Sequence, residues 1–251
     1  MFGIRMVVVV TPTGVAIPHP IPERFTVIIL PVTGSKTILR IRKLPHLIWN
    51  VSGVVTGILL FALFIHNPWP GRLISLAALT GSALLLGYSI RNESFWQSFG
   101  LAPLSRKILI YAIPALIAGM GLAWLTRRSF DLSPLPESVS RFAFIAPLIG
   151  ASEELIFRGY IQGYLRPIGR GFSVVYASTV HTCYKLLVIL SLSMPLQFDL
   201  FFLVIWTFIG GLVFGVLREG ARSSIPPVIA HALFDIVLYG GYDLAPVWVW
   251  S

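Results

Sequence analysis

Charge is what this sequence of 251 residues has least of. Asp, Glu, Lys and Arg together make up 12%, against about 25% in soluble domains. Hydrophobic residues reach 56%, and the mean hydropathy is +0.83. Too little polar surface is left to coat a water-facing shell, which excludes a water-soluble enzyme. Disorder is excluded as well, because it needs low hydrophobicity. Cysteine is nearly missing: Cys183 stands alone inside an apolar run, so no intrachain disulfide can form and cysteine gives no sign of an oxidising compartment. There is no His-Glu-x-x-His zinc motif, no internal repeat and no low-complexity tract. Acidic residues are scarce, 10 against 19 basic ones, for a net charge of +9. The basic residues sit mainly at the ends of apolar runs, so lipid headgroups and topology account for them better than nucleic acid does.

What is present is a series of long apolar segments. Residues 1–45 stand apart, with two short apolar runs broken by Pro12, Pro18, Pro20, Pro22 and Pro31. They read as an N-terminal extension, cytoplasmic or interfacial, and fit a signal peptide poorly. Residues 46–251 read as a transmembrane domain. The fold class is all-α, a polytopic helix bundle of about seven spanning helices (six to eight), since each span needs roughly 20 apolar residues. They are expected near 46–66, 73–90, 107–126, 142–166, 172–192, 198–217 and 225–241. Asn67-Pro68-Trp69-Pro70-Gly71 and Ser133-Pro134-Leu135-Pro136 supply loops between them. Between the second and third spans, Phe95, Trp96 and Phe99 suit a short helix in the headgroup zone. Gly211 and Gly215 form a GxxxG pair, read as ordinary helix packing.

Charge counting sets the topology. With the N-terminus cytoplasmic, Arg40, Arg42, Lys43, Arg91, Arg106, Lys107, Arg166, Arg170, Arg218 and Arg222 fall at cytoplasmic ends. Only Arg72, Arg127, Arg128 and Arg141 fall opposite, so the expected localisation is an integral, multi-pass membrane protein with its N-terminus inside.

A small polar set is out of place. Glu153, Glu154 and Arg158 lie in the fourth span, His181 and Lys185 in the fifth, and His231 and Asp235 in the seventh. A charge at bilayer depth costs at least about 2.5–3.5 kcal/mol, so such groups need partners or a hydrated cavity. At about 1.5 Å of rise per residue they fall in a common depth band, and one shared chamber within 142–241 becomes possible. Glu154 and Arg158 are spaced to pair on one face, and so are His231 and Asp235. Glu153 points about 100° away from Glu154 and is expected to be free for another role. Lys185 is expected to snorkel to an interface. Paired carboxylates with two imidazoles suit activation of water, with Glu153 as general base. Alternatively Glu153, His181 and His231 supply three ligands for a divalent metal such as zinc.

The run Glu153-Glu154-Leu155-Ile156-Phe157-Arg158-Gly159 resembles the EExxxR motif of the CAAX protease and bacteriocin-processing family, relatives of the type II CAAX prenyl endopeptidase. The family's FxxxH motif is met by His181, with Ala177 at the aromatic position, and its HxxxN/D motif by His231-Ala232-Leu233-Phe234-Asp235. The resemblance spans roughly residues 95–240. It implies an intramembrane endopeptidase acting on a membrane-anchored peptide or protein, of which a prenylated CAAX-type chain is one form, within membrane lipid. Glu153 would be the base, and Glu154 and Arg158 would shape and charge the site. His181 would hold the water or a metal; His231 and Asp235 would stabilise the oxyanion or complete a ligand set. The site would open toward the cytoplasm. A non-catalytic immunity or partner-binding protein on the same scaffold, or a proton-coupled transporter, are the competing readings. The sequence leaves the oligomeric state open.

Overall fold

The computed structural model describes residues 35–101, 103–192 and 199–246, with side chains from His46 onward. Residues 1–34 of the expected extension lie outside the described residues. Among the described residues all regular structure is helical. In chain order the helices are α1 (Ser35–Phe64), α2 (Arg72–Ile90), the short α3 (Phe95–Ser98), α4 (Arg106–Ser129) and α5 (Arg141–Glu154). A π-helical stretch, Leu155–Ile161, follows α5 directly and leads into α6 (Gln162–Leu165); then come α7 (Arg170–Leu190), α8 (Leu200–Ala221) and α9 (Ile225–Leu238).

Five stretches are long and apolar enough to cross a bilayer: His46–Phe64, Arg72–Ile90, Arg106–Ser129, Arg170–Leu190 and Leu200–Ala221. The other two expected spans differ for physical reasons. The 142–166 span is a helical run of changing geometry that carries Glu153, Glu154 and Arg158 in its middle, which lowers its hydropathy. The last helix ends at Leu238 rather than near residue 241, and its 14 residues reach about 21 Å at 1.5 Å per residue, short of a hydrocarbon core of about 30 Å.

The helix ends follow local chemistry. Ser105 caps α4 by accepting from the Ile108 N–H, and Asp199 caps α8 by accepting from the Phe201 N–H, satisfying donors that the first turn leaves open. At the far end of α4, Arg127 is buried and donates to the Val237 and Leu238 carbonyls at 3.2 and 3.0 Å and to the Ser133 carbonyl at 2.6 Å. It thereby closes the last carbonyls of α9, which have no helical partner of their own.

Apolar packing gathers around the polar helices. Val51, Val54, Ile58 and Ala62 of α1 cluster with Phe157, Tyr160 and Ile161 of the π stretch and with Ala177, Val180 and Tyr184 of α7. Ala115 of α4 meets Phe214 and Leu217 of α8 and Ala230 of α9. The GxxxG pair serves contacts inside the chain: a Cβ on Gly211 would meet the Ser178 side chain at 3.0 Å, and one on Gly215 would meet Val174 at 2.8 Å. Phe95 and Trp96 on α3 are exposed, as a headgroup-zone reading requires, but Phe99 is buried in the core cluster with α1 and the π stretch. Its ring therefore packs rather than facing lipid.

Candidate active site

Glu153 and Glu154 are the last two residues of α5, and Arg158 lies one turn on, inside the π stretch. His181 is midway along α7; His231 and Asp235 lie one turn apart on α9. All six are buried, with Glu154 and Arg158 fully enclosed. Helices α5 and α9 come close because Gly150, one turn before Glu154, has no side chain. A Cβ there would run into the Asp235 carboxylate and stand 2.9 Å from the His231 ring.

Glu154 and Arg158 pair as their spacing predicts, Oε2 to Nε at 3.4 Å. The guanidinium also reaches His181, with Nη2 3.3 Å from Nδ1. Arginine has no acceptor, so His181 Nδ1 must accept, which leaves the proton of the neutral ring on Nε2. That nitrogen is 3.1 Å from Glu153 Oε2 and donates to it. His231 Nδ1 lies 3.0 Å from Glu154 Oε1 and donates there. His231 Nε2 then faces Glu153 Oε2 at 3.9 Å and Asp235 Oδ1 at 3.8 Å. The partner that orients His231 is thus Glu154 on a different helix, not Asp235 one turn away.

Two sequence expectations need correction. Glu153 is not free: besides His181 it holds Lys185, Nζ to Oε1 at 2.5 Å. Lys185 accordingly does not snorkel to an interface. It shares a face with His181 on α7, and a buried carboxylate within reach gives its ammonium a better partner than distant headgroups do. The aromatic ring missing at Ala177 is supplied from elsewhere, since Phe157 lies 4.5 Å from the His181 ring, centroid to centroid, and Tyr184 lies 6.4 Å away. Sequence reasoning missed Phe157 and Gly150 as parts of the site. Phe157 stands within the motif run and Gly150 three residues before it, and the one available signal was their closeness to its charged residues.

Among the described residues no group of three or more His, Cys, Asp or Glu is arranged to hold an ion. Lys185 brings a cation onto Glu153, and His231 Nδ1 engages Glu154 while its Nε2 faces Glu153.

A cavity of about 130 Å³ adjoins the cluster. His181, Lys185, His231 and Asp235 form its polar wall, and Trp206, Phe214 and Phe234 stand among its apolar lining. The lining comes from the later turns of α4, α7 and α9 and from the earlier part of α8, reaching Phe130, Ile189 and Tyr239. This is the end of the bundle away from Arg106, Arg166, Arg170 and Arg218.

A bundle of apolar helices whose polar side chains converge on one buried acid–imidazole cluster beside a cavity defines an integral, multi-pass membrane protein. Residues 135–237, which hold every member of that cluster, match the family model described as type II CAAX prenyl endopeptidase Rce1-like. Nothing among curated proteins or solved structures matches the chain.

Proposed function

We propose that the protein is an intramembrane endopeptidase that hydrolyses a peptide bond of a membrane-anchored substrate with water activated by Glu153. The observation that carries this reading is the convergence of a buried carboxylate and two imidazoles, at 3.1 and 3.9 Å from Glu153 Oε2, beside a cavity. The match of residues 135–237 to the Rce1-like family model supports the reaction class.

Glu153 accepts a proton from water as the oxygen adds to the scissile carbonyl carbon. The carbonyl π bond opens and its electrons move to the oxygen, giving a tetrahedral oxyanion. His231, whose ring lines the cavity, stabilises that oxygen in its doubly protonated form, donating Nδ1–H to Glu154 and offering Nε2–H to the oxyanion. Glu153 then returns its proton to the nitrogen as the C–N bond breaks, releasing an acid and an amine. Arg158 and Glu154 act on the imidazoles: the first fixes the tautomer of His181, the second the ring of His231.

The cavity's aromatic and aliphatic lining suits an apolar chain, and prenylated C-terminal peptides are the first substrates to try. Purified protein in proteoliposomes should cleave a membrane-anchored peptide. Glu153→Gln should lower kcat by about 10³-fold or more, in the range of removing a catalytic base, with the thermal unfolding midpoint retained. Cleavage by the folded variant at the wild-type rate would defeat the assignment. Running prenylated and unprenylated peptides in parallel decides the substrate class, and a non-catalytic scaffold would cleave neither.

A further inference from the structure

We propose that Lys185 is a positioning residue for Glu153, holding the carboxylate in the orientation from which it takes a proton from water; this rests on the reading of Glu153 as the base. The two Glu153 oxygens are held separately from one helix face, Oε1 by Lys185 Nζ at 2.5 Å and Oε2 by His181 Nε2 at 3.1 Å. Lys185 and His181 are one turn apart on α7, so they act as two prongs of a single rigid clamp. The carboxylate torsion that would swing Glu153 away from the cavity is blocked only while both prongs are present.

The charge balance points the same way. Three buried acidic side chains, Glu153, Glu154 and Asp235, face two basic ones, Arg158 and Lys185. Arg158 is the nearer cation to Glu154 and reaches Glu153 only through His181. Lys185 is the cation in direct contact with Glu153, and a buried charge left without its partner is strongly disfavoured.

Lys185 also differs from its partner in where it stands. Its side chain is 29% exposed, against 5% for Glu153, and it lines the cavity. Its ammonium is a point charge on a flexible stem, able to keep contact with Glu153 Oε1 as a water and a carbonyl enter from the cavity side. A rigid planar guanidinium at the same place would not adapt in this way.

The test uses the full chain in proteoliposomes and a membrane-anchored peptide. Lys185→Ala should lower kcat by about 10²-fold, the cost of misplacing a reacting group by about 1 Å, while leaving KM little changed. Added ethylamine should restore part of kcat in Lys185→Ala and none in Glu153→Gln. Lys185→Arg should retain more activity than Lys185→Ala but less than wild type. Wild-type kcat in Lys185→Ala would overturn the proposal, and so would a loss confined to KM with no response to ethylamine. Should Lys185→Ala not fold, Lys185→Met keeps the stem without the charge; full kcat there overturns the proposal and a drop in kcat alone supports it. If Glu153→Gln itself cleaves normally, the base assignment has failed and Lys185 with it. A dead Glu153→Gln beside a fully active Lys185→Ala removes Lys185 alone.

Discussion

Helices α2 and α7 are alike in length, 19 and 21 residues, and opposite in surroundings. Within its apolar window α2 has 11% of its residues buried in the protein and α7 has 56%; their mean hydropathies are 1.8 and 1.4. The buried residues of α2 are Ser75 and Ser82, whose hydroxyls donate to the α1 carbonyls of Phe61 and Val54. Those of α7 include His181, Ser178 and Thr182 on the inner face. A helix that meets lipid on most sides keeps its apolarity all round. A helix enclosed by protein can give up hydropathy and carry chemistry, provided that neighbours satisfy each polar group. The first two helices therefore scaffold the core from outside, while α5, α7 and α9 hold the site.

The sharpest way to break this contrast is to remove a charge from the enclosed half. Arg158→Met leaves Glu154 buried with its counter-charge gone and releases His181 Nδ1. The expected cost is about 3–5 kcal/mol, read as a large fall in the thermal unfolding midpoint in detergent micelles, with cleavage lost. Replacing the pair together, Glu154→Leu with Arg158→Met, should recover most of the stability and none of the activity, because two matched apolar groups need no partner. If the single and double variants unfold alike, the pair is not what the fold depends on.

A smaller effect is expected from crowding the contact between α5 and α9. Gly150→Ala sets a methyl against the Asp235 carboxylate and the His231 ring. The neighbouring atoms belong to short side chains anchored on α9, so the helix itself must move. Overpacking of this kind costs about 1–3 kcal/mol, and displacing His231 by about 1 Å should lower kcat by about 10²-fold. Stability and kcat measured on the same preparation check it; a variant with full activity would mean that His231 tolerates the shift.

The enclosed half was also the more legible in sequence. Glu153, Glu154, Arg158, His181, His231 and Asp235 stood out because charge inside apolar runs is costly, and helical spacing alone paired Glu154 with Arg158. The partners that cross between helices were not readable. Lys185 meets Glu153 across 32 positions, and a lysine in an apolar run fits snorkelling equally well until the neighbouring helix is in place. Arg127 read as a loop-end charge, yet its guanidinium closes the end of α9. The π stretch at 155–161 carries no side-chain periodicity that separates it from an α-helix over so few residues. The last helix read as three residues too long, because Tyr239, Gly240 and Gly241 continue its composition while the backbone turns away.

The smallest expected effect sits on the outer half and tests whether lipid is what covers it. Leu84 on α2 is 71% exposed, as a residue facing acyl chains should be. Lipid tails fill the space left by a shortened side chain, so Leu84→Ala creates no cavity and should change stability by less than about 0.5 kcal/mol. Cleavage should be unchanged, since α2 contributes no residue to the cluster or the cavity wall. The unfolding midpoint and the cleavage rate in the same proteoliposomes provide the check. A loss of about 2 kcal/mol or more would be the cost of a core truncation. It would mean that the outward face of α2 packs against protein rather than lipid, and that the scaffold half has a partner surface of its own.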